Sequence, residues 1–381
     1  MNSSTNQDIT FITIFRSIYL KRVIFNHVEE ISRQITSSTC KRSCKGKQFI
    51  LQQQQQQDVH SSLDQMLRVY AMPYDFIKHY LPREIDQLDQ SKRLKHLNDY
   101  CCHPNASLHT FQHLLQWSPD FVPNAQLMNR VAEVGHLDIL EYIHSSYDTN
   151  VVACTVDAMD TAARSGHINV VKFLHNTRQE GATAKAMNRA AANGHLDIVK
   201  FLHQHRSEGC TKDAMDFACA NGHLDVVKFL NENRSEGCTT DAMDFACENG
   251  HLDVLSYLHY SLSRQEGCTK DAMDNASQNG HLECVKFLHQ HRSEGATTNA
   301  MNYASENGHF EIVSFLNLNR SEGCSSNAIY WARENGHEKI VSFLEQHDDH
   351  HSGSLKSSKD STQRRDNFPI ITDPTMLLQS S

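Results

Sequence analysis

The stretch "NGHLDVVKFLNENRSEGCTTDAMDFAC", Asn221 to Cys247, decides how the whole chain is read. It holds a Gly-His pair, several acids, a cysteine, a basic side chain and phenylalanines, all usable in an active site. The same pattern returns along the chain. Gly-His occurs at Gly135, Gly166, Gly194, Gly222, Gly250, Gly280, Gly308 and Gly336, with spacings of 31, 28, 28, 28, 30, 28 and 28. A fixed period in this range marks a solenoid of stacked units. A catalytic constellation occurs once per site, so a pattern repeated at one register is structural.

Each unit reads as two helices. In the unit around Gly222, Asp213 is placed to cap the first helix. Asp216 follows three residues later, where an acid suits the free backbone donors and the helix dipole. Ala214, Met215, Phe217, Ala218 and Cys219 make a short helix with small residues on one side. Asn221-Gly222 ends it, with glycine free to turn left-handed. A branched residue at such a glycine is expected to cost about 1–2 kcal/mol. The second helix starts near His223. Leu224, Val226, Val227, Phe229 and Leu230 give it a broad apolar face, with Asp225 and Lys228 outward. Gly237 is a second stop, and a Cys-Thr-Thr loop leads to the next cap, Asp241. No alternation of period two appears, so strands are not expected.

The unit resembles an ankyrin repeat. The family pattern, Thr-Pro-Leu-His-x-Ala-Ala-x-x-Gly-His followed by an apolar helix, aligns with Asp241-Ala242-Met243-Asp244-Phe245-Ala246-Cys247-Glu248-Asn249-Gly250-His251. Leu252, Val254, Leu255 and Leu258 continue the match. The resemblance covers roughly residues 123–348 and implies an all-α, helix-turn-helix solenoid that binds proteins. Two departures stand out. The dominant period is 28 rather than about 33, so the loop between units is short and the protruding β-hairpin finger is lost. The family's first-helix His, which helps hold that loop, is Asp or Asn here: Asp160, Asn188, Asp216, Asp244, Asp274 and Asn302. A shorter loop would no longer need it.

Five segments are expected. Residues 1–48 carry an amphipathic helix, "FITIFRSIYLKRVIFNHVEEIS", with Phe11, Phe15, Ile18, Phe25 and Val28 sharing one face. It suits packing on the array, although a partner, a membrane surface or a presequence role also fits its pattern. Residues 49–63 hold the polyglutamine run Gln52–Gln57 and read as a linker. Residues 64–122 carry helical stretches at Met66–Leu81, Ser91–Tyr100 and Leu108–Trp117, forming a helical N-terminal cap or diverged repeats. Residues 123–348 are the array of about eight units. Residues 349–381 are polar, serine-rich and expected to be disordered. In the last unit Glu338 stands where most inner units have Leu, the polar outer face of a capping repeat.

Composition narrows function. The 381 residues carry a formal charge of −9 and a mean hydropathy of −0.55. An acidic chain lacks the basic face that nucleic acid requires, so none is expected as partner. No apolar run is long enough for a transmembrane segment. No secretory leader is evident, and the 12 cysteines read as reduced thiols of an intracellular, rather cytoplasmic than nuclear, monomer. Cys40, Cys44 and Cys101-Cys102-His103 do not follow metal-ligand spacing. The loop cysteines Cys210, Cys238, Cys268 and Cys324 alternate with Ala182 and Ala296, which indicates packing. The Gly-His histidines read as turn residues bonded to local backbone, and His203, His205, His289 and His291 as solvated surface. No nucleophile stands with a base and an orienting group, and no phosphate loop is present, so no enzyme and no cofactor are expected.

The expected function is a non-enzymatic scaffold that binds protein partners on the concave face. Five residues before each turn glycine, a position lining that face in ankyrin-like units varies while its neighbours are near-copies. It is Arg130, Thr161, Arg189, Phe217, Phe245, Asn275, Tyr303 and Trp331. Aromatics and Arg are favoured anchors, so Arg189, Phe217, Phe245, Asn275, Tyr303 and Trp331 are the candidate partner-binding residues. Packing between adjacent first helices is the competing role. Two residues before the glycine, Arg164, Glu248, Gln278, Glu306 and Glu334 form a mainly acidic rim. An alternative function rests on "YLPREIDQL", Tyr80–Leu88, which resembles the start of an F-box and would make the chain a substrate-recognition adaptor of a ubiquitin ligase. Leu-Pro opening an ordinary helix explains the same residues.

Overall fold

Among the described residues every regular element is helical, and eight helix pairs follow one another with a short N-terminal helical region before them. The computed structural model describes residues 63–78, 80–82, 88–148, 152–261 and 267–347. The N-terminal region comprises a π-helical turn (Gln65–Val69), α1 (Tyr74–Ile77), α2 (Gln90–Cys101) and α3 (Leu108–Trp117). The pairs are α4/α5 (Ala125–Val134, Leu137–Ser146), α6/α7 (Val156–Arg164, Ile168–Thr177), α8/α9 (Ala184–Ala192, Leu196–His205) and α10/α11 (Asp213–Ala220, Leu224–Asn233). They continue as α12/α13 (Asp241–Glu248, Leu252–Ser261), α14/α15 (Asp271–Gln278, Leu282–His291), α16/α17 (Thr298–Glu306, Phe310–Asn319) and α18/α19 (Ser326–Glu334, Glu338–His347).

The helix expected over Met66–Leu81 is broken. Ala71 has φ 43°, and Pro73 precedes α1. Proline has no N–H for a helical bond and pushes its predecessor out of the helical region. The amphipathic segment of 1–48, the glutamine run and the tail lie outside the described residues.

In the array, small residues bring first helices together. Ala214, Ala218 and Cys219 of α10, like Ala186, Ala190 and Ala191 of α8, are fully buried. Neighbouring first helices pack closely, whereas second helices touch their neighbours at few points. Tight packing in one layer and loose packing in the other curves the stack. The first helices therefore line the concave side. On the second helices Val226, Val227 and Leu230 are buried while Asp225 and Lys228 are exposed, as the apolar pattern requires.

Three rows of polar contacts tie each unit to the next. The first corrects the reading of Asp216. Its carboxylate does not serve its own helix end: it is buried and reaches the next unit, accepting from the Thr239 backbone N–H at 2.8 Å and the Thr239 hydroxyl at 2.9 Å. Asp160 holds Thr183 and Asp244 holds Thr269 in the same way. Asn188 substitutes directly, its Oδ1 accepting from the Thr211 N–H at 2.9 Å and its Nδ2 donating to the hydroxyl at 2.7 Å. The shortened loop is thus still held from the first helix, by a smaller side chain than the family's His. Nor is Asp213 or Asp241 the cap. Each is the first residue of its helix, and the Thr239 hydroxyl accepts from the Asp241 N–H at 3.1 Å.

The second row is the Gly-His pair. The imidazole bonds to a carbonyl of the preceding unit rather than to its own turn: His195 Nε2 to Arg164, His309 Nε2 to Gln278 and His337 Nε2 to Glu306, each at 3.0 Å. From His167 on, each ring also packs close against the preceding turn glycine. A Cβ built at Gly280, which has φ +84°, would sit 2.7 Å from the His309 ring. The third row is a loop clip. Arg206–Glu208, Arg234–Glu236 and Arg292–Glu294 are ion pairs two residues apart, and the Glu180 and Glu322 carboxylates accept N–H groups of the preceding loop, from Cys154 and Ala296. Arg320 beside Glu322 holds that carboxyl down to about 2.

Two of the four convex histidines are packed rather than freely solvated. His203 and His289 are half-buried and meet Phe229 and Phe315 of the next unit edge-on, at 5.5 and 5.4 Å. His205 and His291 are exposed.

The Asp row gives a test. Burial pushes the Asp216 carboxyl up to about 6 against Thr239 bonds that lower it. The folded chain then holds this proton more tightly than the unfolded one, so the contribution is largest at low pH and fades as pH rises through about 6. Relative to Asp216→Asn, wild type is expected to gain about 1 kcal/mol on going from pH 8 to 5 in urea titrations. At pH 7 the Asn variant is expected near wild type, as Asn188 implies. Asp216→Ala leaves the Thr239 groups unpaired and is expected to cost about 1–3 kcal/mol. Equal losses for Asn and Ala would remove the interlock from the account.

Candidate binding surface

The concave face is built from the outward side of the first helices, where three positions reach solvent in most units and two in the third and fourth, whose Ala192 and Ala220 are buried. The residue five before the turn glycine is central. Arg189, Phe217, Phe245, Asn275, Tyr303 and Trp331 are all half-buried, and Arg130 at the N-terminal end is exposed. They therefore form one row along one face, with part of each side chain packed and part in water. Tyr303 and Trp331 stack across adjacent units, rings 6.2 Å apart and inclined by 11°. Asn275 donates to the Glu248 carboxylate of the preceding unit at 3.4 Å.

The position two before the glycine flanks that row. Arg164 is tied to Glu133 of the preceding unit. Glu248 and Glu306 are half-buried, Gln278 and Glu334 exposed. Burial raises the Glu248 carboxyl above its usual range, against the Asn275 bond that lowers it.

A second flanking row escaped the sequence reading. Nine residues before the glycine stand Gln126, Asp157, Lys185, Asp213, Asp241, Asp271, Asn299 and Asn327, all exposed. Asp213 and Asp241 had been explained as helix caps, which hid the fact that they share a register on the concave face. The signal was the period itself: this position varies in charge as the central one varies in size.

Cys210 and Cys268 lie at the unit interfaces, and burial pushes their thiols up to about 11 and about 12, away from reactive thiolates. Cys101 is buried in the N-terminal core, and His103 bonds the Val69 carbonyl. A cavity lined by Ala296, Met301 and Leu316 has a volume of about 10 Å³, room for one water. Of the Tyr80–Leu88 stretch, residues 83–87 lie outside the described residues; the Pro82 carbonyl accepts from the Trp117 indole at 3.2 Å.

The family model of ankyrin repeats matches the sequence in overlapping windows, 127–216, 159–244, 187–274, 243–324 and 273–354. The chain belongs to the ankyrin-repeat family. The matched windows span all eight helix pairs, so the ankyrin array includes the divergent first and last units. No curated protein matches the sequence. Ankyrin units as a class serve protein–protein interaction, and no helix among the described residues is long and apolar enough to cross a membrane.

Proposed function

We propose that this ankyrin-repeat protein is a non-enzymatic scaffold that holds a protein partner in its concave groove. Phe217, Phe245, Tyr303 and Trp331 are the anchors, Arg189 stands at the basic end, and Asn275 lies within the row. The reading is carried by one observation. Positions that tie unit to unit are near-copies, whereas the central concave position takes six residue types in eight units and stays partly exposed. A residue that served only the stack would repeat like Asp216 and Asp244. Half-burial also supplies what an anchor needs, a ring already fixed by packing with a free face for a partner. The same reading makes the chain a monomer working inside the cell, with residues 64–122 closing the N-terminal end of the array.

The experiment compares partner capture by wild type and by Phe217→Ala/Phe245→Ala/Tyr303→Ala, read by mass spectrometry, with circular dichroism on both. Partners retained at less than about a tenth of wild-type level, with helicity intact, are the expected result. Unchanged partners on a folded variant would move binding to another part of the chain. Collapse of helicity would show that the rings hold the stack and are no groove.

A further inference from the structure

The charge on the concave face is sorted along its length, and this sorting selects a partner. In the three central units the outer row is acidic: Asp213, Asp241 and Asp271, all exposed. On the other side of the aromatic row stand Glu248 and Glu306. Among the described residues none of these five carboxylates is in an ion pair, although the convex and loop faces pair theirs freely. Glu248 is half-buried with the Asn275 amide as its hydrogen-bond donor. In the third unit the sign reverses, between Asp157 of the second unit and Asp213 of the fourth. Lys185 and Arg189 occupy the outer and central rows of the third unit, and neither is ion-paired among the described residues.

We infer that the central and C-terminal part of the groove takes an extended cationic segment of another protein, with Arg or Lys at every third residue. This rests on the groove reading above and adds the chemistry of the partner. Successive first helices repeat about every 10 Å. A polyproline-type segment has three residues per turn and rises about 3.1 Å per residue. Every third side chain therefore faces the same way and advances about 9 Å, one unit of the array. In the fifth unit a guanidinium finds the Phe245 ring with Asp241 and Glu248 on either side; the fourth, seventh and eighth units offer a ring with one carboxylate, and the sixth offers Asp271 beside Asn275. Cation–π attraction and charge-assisted hydrogen bonds act together where ring and carboxylate meet. The repelling Lys185 and Arg189 set where the cationic stretch must stop, and so fix the direction in which the segment lies.

A competing occupant is in the chain itself. Residues 1–48 carry eight Lys or Arg against three Asp or Glu, a net charge of +5.

The test uses the full chain and a fluorescent peptide of about twelve residues with Arg-Pro-Ser repeated, against a peptide of the same composition with its arginines contiguous. Binding is read by anisotropy. The spaced peptide is expected to bind roughly tenfold more tightly than the clustered one, and to weaken severalfold between about 50 and 300 mM salt. Asp213→Asn/Asp241→Asn/Asp271→Asn and Phe217→Ala/Phe245→Ala should each weaken it by about tenfold, with Lys185→Gln leaving it equal or tighter. Equal binding of the two peptides would overturn the proposal, since charge alone would then act without register. So would intact peptide binding by the Asn triple variant. If that variant also kept its captured partners while the aromatic variant lost them, the groove would stand and the cationic partner would fall. Loss by neither would take the groove reading down as well. Lys41→Gln/Arg42→Gln/Lys45→Gln/Lys47→Gln in the full chain should leave peptide affinity unchanged. About tenfold tighter binding would instead show the groove filled by the chain's own N-terminal segment and overturn an external partner.

Discussion

Gly280→Val is expected to cost about 3–4 kcal/mol, one of the two largest losses from a single substitution in the array. Two effects add. The residue sits at φ +84°, where a branched side chain costs about 1–2 kcal/mol. The new Cβ would also stand 2.7 Å from the His309 ring and displace it, leaving the Gln278 carbonyl without its 3.0 Å bond. That second part costs about 1–3 kcal/mol. Gly336 isolates the first part, because it has φ +77° with nothing within 4 Å of its would-be Cβ. Gly336→Val should therefore lose about 1–2 kcal/mol, roughly half as much. Urea unfolding of both variants decides the matter. Equal losses would mean that the neighbouring imidazole bears no load.

Leu230→Ala is expected to cost about 2–5 kcal/mol through lost burial and the cavity left behind. Leu230 is 1% exposed and lies in the fourth of eight pairs, with packed units on both sides. Leu344 is its counterpart in the last pair and has a neighbour on one side only. Leu344→Ala should cost less. It should also only shorten the folded array, whereas damage in the middle separates two halves. Asp225→Ala, at an exposed site on the same helix as Leu230, should stay within about 0.5 kcal/mol. A loss at Asp225 comparable with that at Leu230 would invert the assignment of helix faces.

Much of the fold was legible because its signals are periodic. Gly222 and Leu230 announce a turn and a buried face by composition and spacing, and eightfold recurrence rules out chance. What the sequence concealed were contacts between units. Asp216 and Thr239 are 23 residues apart, and a local explanation, an acid in the first turn of a helix, was available for the same residue. His309 reads as a turn residue until its partner, the Gln278 carbonyl 31 residues earlier, is in view. Asp213 and Asp241 were likewise absorbed by a capping pattern and their place on the concave face was missed. In the N-terminal region Ala71-Met72-Pro73 carried a visible break that helical periodicity on either side obscured. The candidate surface was legible in part. Variation located the central row at Phe217 and Phe245, but periodicity carries no information about how far each ring sinks between neighbouring helices.

The interlock has a consequence for how such a chain lengthens. Every interface joins an Asp or Asn of one block to a Thr or Ser of the next, 23 residues on in the compact blocks, 25 at Asp244–Thr269 and 26 at Asn129–Thr155. Both halves of the joint are carried by every interior block, so any interior block can follow any other. Duplication or deletion of one 28-residue segment leaves each remaining joint intact and changes the reading surface by a single step of about 10 Å. Length and recognition can then drift by copying and editing whole blocks, with no new solution to the folding problem required at each step.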